Sequence, residues 1–343
     1  MSSVRELLER LLERRDLTQP EAERLLESLT DPETPAAVSG AVLAALRAKG
    51  AIADEVRGFA EAMRRLAHRP NIPASMRAID IVGTGGDRSG SLNISTGTAL
   101  LTAACGQPVV KHGNRSVSSR AGSADVLEEL GLPMPLDERA AGECLEACGF
   151  TFLFAPHYHP ATRAVAAVRS ALGVRTVFNI LGPLTNPAQP PLRMIGAFSP
   201  DIAALMADTL AGMAIERAFV IHGAKGWDEP TPVGPFTVFD VRPGQVTRET
   251  RAPEDYGLPR CETRDLTGGD ARHNAGALRA VFSGEDRGPH RDCLLLGTAL
   301  ALEIAGLAAG PREGVELAAH AIDDGAAAGV LRALAAAGRS HER

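Results

Sequence analysis

Apolar positions change their period once along the chain. Up to residue 66 they recur at helical spacing: Val4, Leu7, Leu8, Leu11 and Leu12 share one face, and Ala22, Leu25, Leu26 and Leu29 another. Thr18-Gln-Pro-Glu21 has the form of a capping box with proline in the first turn. Thr34-Pro35 opens a third helix, with Val38, Ala41, Val42, Ala45 and Leu46 expected inward, and Ile52 to Leu66 a fourth. Arg69-Pro-Asn-Ile-Pro73 breaks the pattern and reads as a linker.

Beyond residue 78, short apolar runs at 79–82, 107–110, 151–155, 193–198 and 217–222 alternate with helical patterns. That alternation predicts an α/β fold: a mostly parallel central sheet flanked by helices, with a smaller all-helical domain before it. His159-Pro160 to Leu172 reads as a helix between two strands, followed by the turn Gly182-Pro-Leu-Thr-Asn-Pro187. The alanine-rich tail Ala326 to Ala337 reads as helix.

Composition narrows the function classes. At 343 residues the chain can bury a substantial core. Its net charge of −6 argues against general nucleic-acid binding, which favours a basic surface. The absence of a membrane-length apolar run or a signal-peptide pattern leads to the expectation of a soluble, cytoplasmic protein. Cys105, Cys144, Cys148, Cys261 and Cys293 have no metal-ligand spacing, and zinc is not indicated. Cys144 and Cys148 are four apart on a helix face, a packing relation.

Candidate chemistry begins at Asp80-Ile-Val-Gly-Thr-Gly-Gly-Asp87, followed by Asn93-Ile-Ser-Thr96. A strand enters glycines that let backbone N–H groups approach an anion, and the next helix presents its positive end to the same place. A second strand delivers Lys111-His-Gly-Asn-Arg-Ser-Val-Ser-Ser119. With Arg120, residues 111–120 carry three cations and no acid, which suits a ligand with several phosphates. Asp228-Glu229 follows the strand Ala218 to Ile221; the pair offers hard oxygen ligands, and its loop is expected to be exposed.

These segments resemble the anthranilate phosphoribosyltransferases. The likeness rests on Gly83-Thr-Gly-Gly-Asp87 with Asn93 to Thr96, Lys111 to Ser119, Gly122-Ser-Ala-Asp-Val-Leu-Glu128, and Val168-Arg-Ser-Ala-Leu-Gly to Pro187. It continues through Trp227-Asp-Glu229 to Gly268-Gly-Asp270 and the C-terminal helices. The resemblance implies transfer of the phosphoribosyl group of 5-phosphoribosyl 1-diphosphate to the amine of anthranilate, the second step of tryptophan biosynthesis from chorismate. It also implies Mg2+ and a homodimer joined through N-terminal helices. The small domain would be discontinuous, with 1–73 joined by 159–190 and the catalytic domain spanning 74–343.

The resemblance assigns the donor site to Gly83, Gly86, Asp87, Ser91, Asn93, Ile94, Ser95, Thr96, Lys111, His112, Gly113, Asn114, Arg115, Ser116, Val117, Ser118, Ser119 and Ser123. Gly83, Asn114 and Arg169 would line the anthranilate pocket, with Arg169 facing the carboxylate. Ser95, Asp228 and Glu229 would hold magnesium. No dedicated acid or base is expected, because anthranilate's neutral amine can attack unaided; His112 and His159 stand near the pocket without that role. Trp227, Pro230, Thr162 and Gly297-Thr298 depart from the family pattern, the first two at the acid loop and the others where they bear on acceptor choice. Two other readings compete. A pyrimidine nucleoside phosphorylase has a similar architecture but uses free phosphate without the acid pair. A non-catalytic nucleic-acid-binding relative would lose Arg169 and gain basic surface.

Overall fold

One sheet of seven strands organises the chain, in the order β3-β2-β1-β4-β5-β6-β7. The computed structural model describes residues 3–115 and 120–341, with side chains to residue 337. Four helices come first: α1 (Val4–Leu12), α2 (Gln19–Leu29), α3 (Ala36–Lys49) and α4 (Ala53–Arg65). Glu21 accepts the Thr18 backbone N–H at 2.9 Å, so the predicted box start of α2 forms. In α3 the inward face differs from expectation: Leu43 is buried and Ala41 is exposed. Alanines on every side of that helix blur its apolar stripe.

The α/β part then runs β1 (Ile79–Gly83), α5 (Ile94–Ala104), β2 (Val109–Gly113), α6 (Ser123–Glu129), α7 (Glu138–Cys148), β3 (Phe150–Phe154), α8 (Ala155–Tyr158), α9 (Arg163–Leu172) and α10 (Phe178–Leu181). It continues with β4 (Leu192–Gly196), α11 (Pro200–Ala211), β5 (Arg217–His222), β6 (Phe236–Arg242) and β7 (Gln245–Arg251). Helices α12 (Ala271–Phe282), α13 (Pro289–Ala305), α14 (Pro311–Asp323) and α15 (Ala326–His341) close the chain. The first five strands are parallel, while β6 and β7 add an antiparallel hairpin at one edge.

Alternation along each strand feeds two cores. On β5, Phe219 and Ile221 join the apolar cluster of α5, α12 and α13. Ala218 and Val220 point the other way, into a cluster holding Leu25 and Leu26 of α2, Phe59 of α4, Val165 of α9, and Met206 and Leu210 of α11. The first four helices therefore share one apolar cluster with the sheet and with α9 and α10. No described helix is long and apolar enough to cross a membrane.

Helices α2 and α4 touch where Gly58 removes a side chain. A Cβ there would lie 2.4 Å from the Gln19 carbonyl oxygen and 2.8 Å from Ala22 Cβ. Gly58→Ala should destabilise the protein by about 1–3 kcal/mol, despite alanine's better helix propensity, because overpacking dominates. Urea unfolding followed by circular dichroism checks this; an unchanged midpoint would contradict it.

Candidate active site

Strand β1 lies between β2 and β4 and is parallel to both, so the chain leaves it on one side and returns on the other. Such a switch point opens a crevice at the carboxyl ends of the strands. Here Gly83 of β1 stands opposite Gly196 of β4 in register. A Cβ on Gly196 would lie 1.4 Å from the Asp228 carbonyl oxygen, and one on Gly83 would lie 2.4 Å from Asp228 Oδ2. After β5, a Cβ on Gly223 would lie 2.0 Å from the Glu229 carbonyl oxygen. Three missing side chains form a trough across the strand ends, and Asp228-Glu229 lies in it.

The acid pair is therefore not in an exposed loop, as the sequence alone leads one to expect: Asp228 is only 7 % exposed. Its Oδ2 accepts the Gly85 N–H at 2.6 Å. Glu229 Oε1 accepts the Ser95 N–H at 2.9 Å, in the first turn of α5, where the helix dipole favours negative charge. Asp87 accepts from Ser89 N–H and Oγ, both at 3.0 Å, and from the Asp228 N–H at 3.3 Å. Burial, then the Asp87 charge, pushes the Asp228 carboxyl up to about 7. Burial, then Asp228, holds Glu229 well above the usual carboxylate range. Glu229 Oε2 is buried without a hydrogen-bond partner. Crowded carboxylates with an orphaned oxygen fit a hard divalent cation, and Ser95 Oγ is beside them as a further oxygen. The Trp227 ring is buried in the core.

Lys111 is 1 % exposed and stands beneath this cradle. Its Nζ donates to the Ile81 carbonyl and to Ser95 Oγ, the latter at 3.3 Å. Burial brings the ammonium down to about 8. His112 donates its backbone N–H to Asp80 at 3.1 Å and sets Nδ1 3.0 Å from the Gly182 carbonyl. Burial lowers His112 to about 3 and His159, whose ring centroid is 5.0 Å away, to about 4. Both imidazoles are neutral near pH 7. Asn186 Nδ2 binds Asp80 at 2.9 Å and the Val110 carbonyl at 2.8 Å, fixing the 182–187 turn against β1 and β2.

The remaining predicted donor residues divide. Ile94 is buried in the core at the start of α5. Asn93 spans Ala121 and Asn274, and Thr96 Oγ1 donates to Ser123 Oγ at 3.0 Å, joining the starts of α5 and α6. Ser91 Oγ accepts from Ser89 Oγ at 3.1 Å. Gly113 lets the Phe152 ring approach to 2.9 Å from where its Cβ would be, and Asn114 Oδ1 accepts the Arg115 N–H at 2.7 Å. The Arg115 guanidinium pairs with Asp125 at 2.7 Å and Glu128 at 2.6 Å. Those bridges keep its charge on acids of α6. Ser116, Val117, Ser118 and Ser119 lie outside the described residues.

On the acceptor side, Gly83 and Asn114 stand at the carboxyl ends of neighbouring strands. Arg169 on α9 sets its guanidinium 5.0 Å from the Phe178 ring centroid, and burial lowers its pKa. Among the described residues no acid pairs with it. Two residues escape sequence reasoning. Arg175 stacks on Phe198, 4.0 Å from the ring centroid, and donates to the Gly86 carbonyl, while its own carbonyl accepts from Arg47 of α3. Asn274 of α12 donates to Asn93 Oδ1 and accepts the Gly269 N–H, both at 2.7 Å. Gly268-Gly-Asp270 is the nearby sequence clue to the second; the first lies inside the 168–187 run, but its contact with Gly86 spans 89 positions. Among the other departures, Thr162 Oγ1 donates to the His159 carbonyl at 2.8 Å. Gly297 packs against Thr98, where a Cβ would lie 2.5 Å from Oγ1, and Thr298 is fully buried.

Known proteins share this arrangement. Residues 75–328 match the α/β domain of the glycosyl transferase family, and residues 5–67 match its helical bundle domain. An anthranilate phosphoribosyltransferase of Desulforudis audaxviator is 46 % identical over 94 % of this chain and 93 % of its own. One from Rubrobacter xylanophilus is 44 % identical over 96 % and 95 %. The crystal structure of the Thermus thermophilus enzyme superimposes with a TM-score of 0.90 at 40 % identity, covering 97 % of this chain and 99 % of that one. The Saccharomyces cerevisiae enzyme in complex with PRPP and Mg gives 0.88 at 26 % identity, with 98 % of each chain covered. With its two-domain match, its identity to these relatives and the same fold throughout, the chain belongs to the anthranilate phosphoribosyltransferase family.

Proposed function

We propose how this chain's residues divide the work of its reaction, phosphoribosyl transfer from 5-phosphoribosyl 1-diphosphate to the amine of anthranilate, giving N-(5-phosphoribosyl)anthranilate and diphosphate. The observation that carries the assignment is the occupation of the glycine-loop and α5 N–H groups by Asp228 and Glu229. N–H groups that donate to buried carboxylates can donate equally to phosphate oxygens. Gly83, Gly86, Asp87, Ser91, Asn93, Ser95 and Thr96 bind the donor, with Lys111 supplying positive potential from below. Asp228, Glu229 and Ser95 hold Mg2+, which supplies neutralisation of the leaving diphosphate's charge when bound. Positioning of C1 against the amine, with exclusion of water, carries the rest of the acceleration.

Arg169 receives the anthranilate carboxylate, since its guanidinium stacks on Phe178 and pairs with no acid among the described residues. Arg175 is a positioning residue: it anchors the Gly86 carbonyl and so fixes which way the loop's N–H groups face. Residues 1–73 with 159–190 act as the smaller, helical unit, supported by the apolar cluster they share. Two such chains pair through the N-terminal helices. Leu12 at the end of α1, 60 % exposed, supports that surface.

Four outcomes are expected. Arg169→Ala removes a charge-assisted contact worth about 1.5–3 kcal/mol, so KM for anthranilate should rise about ten- to a hundredfold with the donor's KM little changed. Arg175→Ala should reverse that split; steady-state kinetics with each substrate varied decide, and equal effects on both constants contradict the assignment.

In the Asp228→Asn, Glu229→Gln variant, Mg2+ demand should shift upward and turnover fall. The amide oxygens can still accept from Gly85 and Ser95, so circular dichroism should show a folded protein. An unchanged magnesium titration would remove the pair from the metal site.

Light scattering at micromolar concentration should give a dimer mass. A monomer would rule out pairing through the N-terminal helices.

A further inference from the structure

A second cluster of ligand-type side chains lies away from the acid pair. His68 follows α4 in the linker, Glu138 is the first residue of α7, and His157 lies in α8 after β3. His68 Nδ1 is 3.3 Å from Glu138 Oε1, and His157 Nε2 is 3.5 Å from the same oxygen. All three ligand atoms lie within 4.8 Å of one another, and no other described His, Cys, Asp or Glu group meets that condition. Ligands about 2.0–2.1 Å from a tetrahedral zinc are separated by roughly 3.3–3.4 Å, close to the two measured edges.

The backbone already fixes these positions. The His68 N–H donates to the Tyr158 carbonyl at 2.9 Å, and the Asn71 N–H donates to the Glu138 carbonyl at 2.8 Å. Tyr158 Oη in turn donates to the Leu136 and Asp137 carbonyls, at 3.2 and 3.1 Å. His157 Nε2 is buried and makes no hydrogen bond, although Glu138 stands beside it. Glu138 and His68 are 36 % and 49 % exposed, so an ion can enter from solvent and a water can complete its shell. Two imidazole nitrogens and one carboxylate suit zinc, nickel or copper and serve magnesium poorly.

We propose that His68, Glu138 and His157 bind one divalent cation of the zinc class, strapping the linker that leaves the helical layer to α7 and α8. The site differs in chemistry from the all-oxygen Asp228-Glu229 pair, so both ions can be held at once.

The test is equilibrium dialysis of the full chain against micromolar Zn2+ with millimolar Mg2+ present to saturate oxygen sites. The wild type should retain one more zinc per chain than His68→Ala/His157→Ala. Added zinc should also raise the thermal midpoint of the wild type and leave that of the variant unchanged. Cys144 and Cys148, with Sγ atoms 4.0 Å apart, are present in both proteins, so the difference isolates the proposed site. If the double variant fails to fold, His157→Gln, which keeps a polar side chain of similar reach, takes its place with the same expected loss. No zinc uptake by the wild type, or equal uptake by wild type and variant, overturns the proposal.

Discussion

Three strand-end glycines decide where the acid loop can lie, and the rest of the site depends on that placement. Side chains at Gly196 and Gly223 would collide with the main chain of Asp228-Glu229, and one at Gly83 with the Asp228 carboxylate. Buried carboxylates cost several kcal/mol each in real proteins unless paired or hydrogen-bonded. Here the Gly85 and Ser95 N–H groups offset part of that cost, with the dipole of α5 behind the second. Lys111 contributes from beneath, through Ser95 Oγ. The trough, the glycine loop and the helix start thus form one electrostatic unit.

The neutral state of the surrounding histidines follows first from burial. His112 and His159 are buried within a ring contact of each other, and protonating His112 would add a desolvated cation to a region that already holds buried Arg193 and Lys111. Asp80, fully buried and tied to Asn186 and the His112 backbone, secures the 182–187 turn without reaching the crevice. The insertion from α9 to that turn therefore touches the glycine loop through Arg175 and β2 through Gly182. The helical layer and the phosphate loop are coupled by these contacts, with Arg47 of α3 holding Arg175 from the other side.

Much of this was legible before any coordinates. Parallel strands buried on both faces read as continuous apolar runs, so β1, β2 and β5 were visible within a few residues. The hairpin was not: β7, Gln-Val-Thr-Arg-Glu-Thr-Arg, is an edge strand with Val246 as its one apolar residue. The glycine loop and the helix after it are legible as a strand–loop–helix unit by residue type alone. The depth of Asp228-Glu229 is not, because adjacent acids resemble a surface loop until the Gly83–Gly196 register is known. The ion pairs of Arg115 are hidden in the sequence for a different reason. Its partners Asp125 and Glu128 are nearby in sequence, but only the turn into α6 brings their charges onto it.

On the proposed assignment, carboxylates rest on the N–H groups that receive phosphate, which gives substrate capture the character of an exchange. An incoming phosphate must then displace Asp228 from Gly85 and Glu229 from Ser95. A bare anion that did so would leave two buried carboxyl groups without hydrogen-bond partners beside its own charge, a combination the low dielectric penalises. A polyphosphate arriving with its own divalent counterion turns the displaced carboxylates into ligands. On that assignment the site favours a polyphosphate that arrives with its own cation over a free anion.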